Sequence, residues 1–471
     1  MRGLIASSVG VACTAALALP LTAPASADPV APAVPAVSAG ERPAATGGGR
    51  ARATTGGADT ADAPGGADTA GVPGSTRSLP LPPAAYTRGR AGAAARGARL
   101  HRAGVRPFSL VGVVWDDPDA GLEGRVQVRT RTTGTGKWTG WQDLETHNED
   151  HGADPGTSET ARGRTHGSTA PLWVGDSDGV DARVVPAGTR SSGTAAVRLP
   201  AGLRLDLVDP GRENAPLGPV VRGRTGAAAR RASAVSRAVL PALTRQQTDA
   251  EARTLHPGEG RAAGAPATRP YIGPRPRIVT RRGWGADEKV REEGVAYSRR
   301  IKAAFVHHTA SGNTYRCSQA PSVIRSIHRY HVVSSGWRDI GYNFLVDRCG
   351  NVYEGRAGGV TEAVIGAHTR GFNTDSVGIA VIGTFSRSAP PAAAVRAVAR
   401  LAAWKLGLYG ADPRGSTYLT SVGGNLYRKG KNVRLKVISG HRDGFRTDCP
   451  GRLLYGKLGT ARSSAARYQG R

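Results

Sequence analysis

One short loop restricts the fold of this chain more than any other sequence feature. Residues 439–451 read SGHRDGFRTDCPG and place His441 and Cys449 eight positions apart across a loop that contains glycine and arginine. Histidine nitrogen and cysteine sulfur are zinc ligands, and a catalytic zinc takes three protein ligands. His307 can supply the third ligand, because it follows an apolar run, residues 303–306, that predicts a buried strand. The fold must therefore bring a distant strand end next to this loop.

The composition limits how much of the chain can bury a core. Its 471 residues include 65 glycines and 31 prolines, and only 5% are aromatic. Residues 1–27 combine a basic start, an apolar middle and a small-residue cleavage site, which predicts a secretory signal peptide, with a membrane anchor as the alternative. We predict disordered spacers over the alanine-, glycine- and proline-rich residues 28–104 and the arginine- and alanine-rich residues 211–277.

Residues 105–210 have the pattern of a β-rich domain. Short apolar runs with many β-branched residues alternate there with clusters of aspartate, glycine and proline, which is typical of an antiparallel sandwich. We therefore predict a separate β-sandwich-like accessory domain. Tryptophans in such a domain are usually core residues, and a sugar-stacking platform is the alternative. The tryptophans concerned are Trp115, Trp138, Trp141 and Trp173.

Residues 278–471 alternate between strand and helix patterns. An apolar stripe at helical spacing follows Pro321, and residues 390–406 form a long amphipathic pattern that ends at Gly407. Short apolar runs of the strand type lie before, between and after these two helices. This interleaving predicts an α/β domain with a mixed central sheet flanked by helices.

The charge and the cysteines bear on location. The formal net charge is +28, and predicted export argues against nucleic acid as the partner. The positive charge then indicates binding to an anionic cell wall or its polymers, or only a solvated basic surface without a partner. Cys13 leaves with the signal peptide, so three cysteines remain where free thiols are unusual. A disulfide between Cys317 and Cys349 together with a metal-bound Cys449 would explain the odd number.

Several motifs together resemble those of one known family. They are HHT at 307–309, WRDIGYNFLVD at 337–347, GNVYEGR at 350–356, GAHTRGFN at 366–373, SVGIAVIG at 376–383 and SGHRD with TDCPG in 439–451. In this order they resemble a peptidoglycan recognition protein domain, which belongs to the zinc-dependent N-acetylmuramoyl-L-alanine amidases. The resemblance covers residues 278–458. More weakly, residues 105–210 resemble the β-rich region that precedes such domains in some secreted actinobacterial amidases.

The resemblance implies a zinc hydrolase that cuts the amide bond between N-acetylmuramic acid and L-alanine in peptidoglycan. It assigns His307, His441 and Cys449 as the zinc ligands. The active-site tyrosine of the family corresponds to Tyr342. Thr447 corresponds to a threonine of the animal-type branch, and phage-type members carry lysine at this position. The resemblance thus implies that Tyr342 and Thr447 are the catalytic residues.

The GAHTRGFN motif predicts a polar loop, which the resemblance places along the groove for glycan and peptide. His368, Arg370 and Asn373 are therefore the implied substrate contacts. His308 differs from its neighbour His307, because successive side chains of a strand point to opposite faces. We predict that His308 packs in the core or supports the ligands.

Two other functions fit parts of this pattern. A recognition module without catalysis is one of them, because many members of the family lack the cysteine and do not hydrolyse, whereas Cys449 is present here. A thiol peptidase that uses Cys449 and His441 would need a reduced cysteine outside the cell, and it leaves His307 unexplained. The sequence therefore predicts a secreted or wall-associated, monomeric zinc amidase with peptidoglycan as its partner.

Overall fold

A computed structural model describes residues 74–87, 94–146, 149–161, 163–187, 198–211, 237–255 and 271–471. These residues belong to one compact unit that begins at Ala67. The predicted signal peptide at 1–27 and most of the predicted spacer lie outside the described residues. In the part of the chain that is described, none of the helices combines the length and the hydrophobicity that a bilayer crossing requires.

The N-terminal part of the described chain forms an antiparallel sheet of nine strands. The strands are β1 (Ser75–Pro80), β2 (Pro83–Thr87), β3 (Ala94–Arg102), β4 (Phe108–Trp115), β5 (Gly124–Thr132), β6 (Gln142–Leu144), β7 (Gly167–Ser168), β8 (Leu172–Pro186) and β9 (Arg204–Asp209). The long strand β8 pairs with β4 through its first half and with β3 and β5 through its second half. The sheet thereby bends around one core.

The first three strands correct the predicted spacer over residues 28–104. β1 pairs with β9, and β2 pairs with β3, which in turn pairs with β8. β1 is mostly exposed along its length and carries few apolar residues. An edge strand of this kind has no hydrophobic period, so the sequence pattern did not reveal it.

The C-terminal part contains a second sheet and the helices. Its elements are β10 (Val239–Leu240), α1 (Arg245–Leu255), β11 (Ile278–Val279), α2 (Arg281–Trp284), β12 (Ala303–His308), α3 (Ala320–Arg329), β13 (Phe344–Val346), β14 (Val352–Glu354), β15 (Ser376–Val381), α4 (Ala392–Gly407), β16 (Ser416–Thr420), β17 (Asn432–Lys436), β18 (Ile438–Gly440), α5 (Arg452–Tyr455) and α6 (Leu458–Gln469).

The predicted fold class is confirmed by a mixed sheet with helices on both faces. Its strand order is β10-β11-β14-β13-β15-β12-β18, with parallel pairing among β13, β15, β12 and β18 and antiparallel pairing of β13 with β14. Helices α4 and α6 cover one face, and α3 covers the other. β10 and α1 lie within residues 211–277, which corrects the predicted linker, since β10 pairs with β11.

The two parts share a hydrophobic core, so the accessory domain is not separate as predicted. Successive side chains of a strand face opposite sides, and every residue of β4 is buried. Val111 and Val113 point into the core of the N-terminal sheet, whereas Leu110 and Val114 pack with residues of α3. Burial on both faces explains why β4 reads as a continuous apolar run rather than an alternating one.

Tyr330 completes this shared core just beyond α3. Its ring is fully buried, and its hydroxyl donates a hydrogen bond to the Thr169 carbonyl at 3.0 Å. Gly112 leaves the space for the ring, because a side chain there would overlap the Tyr330 hydroxyl. Separation of the two parts would therefore expose apolar surface and break buried hydrogen bonds.

The four tryptophans divide between core and surface. Trp115 and Trp173 are each 3% exposed and belong to the two cores, which excludes them from a sugar-stacking platform in this conformation. Trp138 and Trp141 are half-buried, and the Arg129 guanidinium stacks on them at 5.3 and 5.1 Å.

The structure contains the disulfide between Cys317 and Cys349, which ties the start of α3 to the β13–β14 turn. The bridge spans a sequence separation of 32 residues. Closing a loop of that length restricts the unfolded chain and stabilises the fold by about 3–4 kcal/mol. We expect the Cys317→Ser/Cys349→Ser double variant to lose about this much free energy of unfolding in urea titrations. Reduced wild-type protein is the control and should match it, and an unchanged denaturation midpoint would contradict the estimate.

Candidate metal centre

The sheet register brings the two predicted histidine ligands together. Strands β12 and β18 run parallel, and Ala304 pairs with Ile438. His307 and His441 each follow these residues by three positions, so they emerge side by side at the carboxyl ends of the two strands. Their ring centroids are 4.5 Å apart, and both side chains are fully buried.

Cys449 reaches the same place through the loop that follows β18. Its Sγ lies 3.7 Å from Nδ1 of His307 and accepts a hydrogen bond from the backbone N–H of His308 at 3.4 Å. The residue is 3% exposed, and its thiol is free. A nitrogen and a sulfur that bind one tetrahedral zinc ion lie about 3.6 Å apart, so the observed separation fits such an ion.

A fourth residue of metal-binding type, His151, joins this group from the N-terminal part of the chain. One ligand atom each from His151, His307, His441 and Cys449 lies within 4.8 Å of all the others. Sequence reasoning missed His151, which stands in a polar loop of the β-rich domain. The only local signal was its acidic neighbour Asp150, because carboxylates commonly orient metal-binding histidines.

Burial keeps His307, His441 and Cys449 neutral in the absence of a cation. Burial lowers the pKa of His441 to about 3 and lowers that of His307 well below its usual value. Neutral imidazole is the form that binds metals. Burial likewise raises the pKa of the Cys449 thiol well above its usual value, although a metal ion deprotonates a coordinating thiol.

Unsatisfied ring nitrogens support a cation at this centre. Nδ1 of His441 and Nε2 of His151 are buried and have no hydrogen-bond partner among the described residues. The other nitrogen of each ring is used, since His441 Nε2 lies 3.1 Å from the Asp150 carbonyl and His151 Nδ1 lies 2.9 Å from the Asp150 carboxylate. An unpaired buried polar atom is costly, so a shared metal ion would satisfy both nitrogens. The residues present fit zinc.

The two predicted catalytic residues flank the cluster. The Tyr342 ring is 4% exposed and lies 5.6 Å from the rings of both His307 and His151. Burial, and then the nearby Cys449 and Asp150, raise the pKa of its phenol well above the usual value, so the hydroxyl stays protonated. Thr447 is half-buried, and its hydroxyl accepts a hydrogen bond from the backbone N–H of Cys449 at 3.1 Å.

The three predicted substrate contacts have different environments. His368 is fully buried behind the cluster, with its ring 5.2 Å from that of His307 and packed on the backbone of Gly378. Asn373 is also fully buried, and its side-chain oxygen accepts the backbone N–H of His368 at 2.7 Å. Arg370 is partly exposed and pairs with Asp119 at 2.9 Å. The structure thus places His368 beneath the surface of the predicted groove rather than in an exposed loop.

Comparison with known proteins found similarity to parts of this chain. A family model described as N-acetylmuramoyl-L-alanine amidase matches residues 297–452, and one described as Rv3811 N-terminal galactose-binding domain-like matches residues 64–201. Peptidoglycan-recognition protein SC1a/b of Drosophila simulans is 31% identical over 181 residues, 38% of this chain and 83% of that protein. Human N-acetylmuramoyl-L-alanine amidase is 34% identical over 161 residues, 33% of this chain and 23% of that protein. The solved structure of Drosophila PGRP-LB aligns at 26% identity and a TM-score of 0.31, over 39% of this chain and 92% of that chain.

The fold and the cluster together define an α/β domain of the amidase type that follows a galactose-binding-like domain. The chain belongs to the family of peptidoglycan recognition proteins and N-acetylmuramoyl-L-alanine amidases.

Proposed function

We propose that this chain is an exported zinc amidase that cleaves the bond between N-acetylmuramic acid and L-alanine in peptidoglycan. The observation that supports this most is the convergence of His307 and His441, at the ends of two parallel strands, with Cys449 from the following loop. The match of the amidase family model supports the reaction class. Export rests on the signal peptide predicted at 1–27 and on the disulfide, which is typical of oxidising compartments. The net charge of +28 would favour contact with anionic wall polymers.

The chain would hold zinc through His307, His441 and Cys449. The chemistry that a bound zinc ion supplies in such a centre is polarisation of the amide carbonyl and activation of water near neutral pH. The chain itself orients these ligands. The backbone N–H of His308 donates to Cys449 Sγ, and the Thr369 hydroxyl lies 3.4 Å from His307 Nε2. Partners of this kind fix ring orientation and tune the affinity for the metal.

Tyr342 would act on the oxygen of the amide that is being cleaved. Because its phenol remains protonated at neutral pH, it can donate a hydrogen bond where negative charge builds up on that oxygen. Such a donor contributes about 3–4 kcal/mol to transition-state stabilisation when it acts in a site from which water is excluded. Thr447 holds the Cys449 backbone in place through its hydroxyl, and it would assist Tyr342 in stabilising this oxygen.

A recognition-only function is the main alternative, and the ligand set argues against it. A module that binds peptidoglycan without cutting it does not need a buried thiol beside two neutral imidazoles. A thiol peptidase is disfavoured as well, because burial raises the pKa of Cys449 and a thiolate is the reactive form of cysteine.

The test is incubation of the mature protein with purified peptidoglycan, followed by mass spectrometry of the soluble fragments. We expect stem peptides with a free L-alanine amino group, no product after treatment with a chelator, and recovery when zinc is added back. Boiled protein and wall material alone are the controls. New reducing sugar ends in place of new amines would show a glycosidase and refute the proposal.

A further inference from the structure

Residues 149–161 of the N-terminal part extend away from their own sheet and lie on the candidate metal centre. They belong to the connection between β6 and β7. Asp150 is 1% exposed and Asp154 is 4% exposed, although both are acidic residues of a loop. Their partners lie in the C-terminal part of the chain, chiefly in residues 367–373 and at His441. We call residues 149–161 the plug segment.

From this position we propose that His151 is a fourth protein ligand of the metal, and that the plug segment closes the substrate groove and makes the folded chain a latent amidase. The proposal rests on the proposed function in so far as it concerns latency. A catalytic zinc keeps one coordination position open for water or substrate, whereas a zinc with four protein ligands is of the structural kind. Three histidines and one cysteine in a single cluster form a closed set.

The orientation of His151 is that of a ligand. Its side chain is 8% exposed, and its ring lies 4.6 Å from that of His441. Nδ1 of His151 donates to the Asp150 carboxylate, which leaves the lone pair on Nε2, the buried nitrogen without a partner. A carboxylate behind a histidine is the arrangement that commonly fixes the tautomer of zinc ligands.

The plug segment also occupies the hydrogen-bonding groups that the sequence assigns to the substrate. The Asp150 carbonyl accepts the backbone N–H of Arg370 at 3.0 Å. The Asp154 carboxylate accepts the backbone N–H of Gly371 at 2.8 Å and the side-chain amide of Asn373 at 2.7 Å. A ligand that used the backbone N–H of Arg370 or the side-chain amide of Asn373 would have to displace these bonds.

A second contact anchors the far end of the plug segment. Glu159 makes a two-pronged ion pair with Arg356, with oxygen-to-nitrogen distances of 3.0 and 2.9 Å. Both side chains are 9% exposed, so the pair is shielded from water. Such paired charge-assisted bonds are among the stronger polar contacts in proteins. The segment is therefore held at the metal, in the middle and at its end.

The composition of the plug segment allows it to leave without unfolding the protein. It reads EDHGADPGTSETA and contains no large apolar side chain. Water can replace its hydrogen bonds, whereas the shared core around Tyr330 and Leu110 is apolar and holds the two parts together. Opening thus requires movement of one polar loop rather than separation of the domains.

The first experiment removes the fourth ligand in the full mature chain with His151→Ala. In X-ray absorption spectra at the zinc edge, wild-type protein should show one sulfur neighbour and the multiple scattering of three imidazole rings, and the variant should show one sulfur and only two imidazole rings. Zinc affinity, measured by competition with a chromogenic chelator, should fall by at least about 10–100-fold, the cost of losing a residue that only supports a metal ligand. The matched control is His101→Ala, a histidine of the same domain outside the cluster, which should behave as wild type.

The second experiment loosens the plug segment and keeps all four candidate ligands. Asp154→Asn preserves the volume, but its amide N–H₂ replaces one of two carboxylate oxygens that both accept hydrogen bonds from residues 371–373. A wild-type protein in which the plug segment is displaced in only about 1–10% of molecules would be activated about 10–100-fold by full opening. At saturating zinc, His151→Ala and Asp154→Asn should therefore each hydrolyse soluble peptidoglycan fragments faster than wild type by about this factor.

The outcomes separate the two proposals. An unchanged zinc neighbour set and affinity in His151→Ala would overturn the fourth ligand. Wild-type rates in both variants would overturn the latency while leaving the amidase in place. A changed neighbour set with no hydrolysis by any form would support the fourth ligand and refute the proposed function.

Discussion

Replacement of Cys449 by serine is expected to abolish hydrolysis and to weaken zinc binding strongly while the protein stays folded. The thiol lies 3.7 Å from His307 and is buried, and its removal leaves only imidazole nitrogens in the cluster. A serine hydroxyl remains protonated at neutral pH and is a poor zinc ligand, whereas a thiolate is among the best. The measurements are zinc content after dialysis and amine release from purified walls.

Binding distinguishes a lost ligand from a damaged groove in this variant. Cys449→Ser removes one ligand atom without adding volume, so sedimentation with insoluble peptidoglycan should be retained. Circular dichroism and a thermal melt provide the control for folding. Full hydrolysis by the variant would show that the thiol is not a ligand. Loss of binding in a folded variant would show that the metal centre and the binding surface are not separable.

The sequence predicted those parts of the site that depend on local pattern. The run before His307 is apolar because β12 is a central strand covered on both faces. Such a strand is recognisable in a sequence as a continuous run of apolar residues. His441 follows a second strand directly. Since parallel strands end at the same edge of a sheet, two histidines at strand ends were a sound basis for a shared metal centre.

Contacts between distant surfaces could not be predicted in the same way. Tyr330 fits the apolar stripe of a helix in the sequence. The residues next to it in the sequence do not indicate that it packs against a strand of the N-terminal domain. His368 reads as part of a polar loop, yet Gly378 on β15 makes room for its ring in the interior. Which two faces meet is decided by packing in three dimensions, and single-sequence periodicity carries no information on it.

The plug segment shows the same limit for polar residues. A run of small, acidic and hydroxyl residues is typical of an exposed loop. Asp154 and Glu159 are nevertheless buried, because donors from another part of the chain compensate for the lost hydration. The fold of the C-terminal domain determines how many hydrogen-bond donors face this loop. The sequence of the loop alone therefore does not predict that its acidic residues are buried.

Replacement of Tyr342 by phenylalanine is expected to lower kcat for the amide by about 10²–10³-fold. The hydroxyl would donate to the carbonyl oxygen chiefly when charge builds up on it, so kcat and kcat/KM should fall together while KM stays near its wild-type value. Rates on soluble muropeptides at saturating zinc are the measurement. The matched control is Tyr353→Phe, which removes the hydroxyl of another buried tyrosine. That hydroxyl lies outside the cluster and donates a hydrogen bond of 3.0 Å to Asp347.

Phenylalanine keeps the ring of Tyr342 beside those of His307 and His151, so the variant isolates the hydroxyl from the packing. Tyr353→Phe should lose stability through its broken hydrogen bond and keep its turnover, because Tyr353 does not touch the candidate ligands. A fall in rate that is equal in both variants would therefore point to a general effect on folding. An unchanged rate in Tyr342→Phe alone would limit Tyr342 to packing, and oxyanion stabilisation would then have to come from Thr447 or from the metal itself.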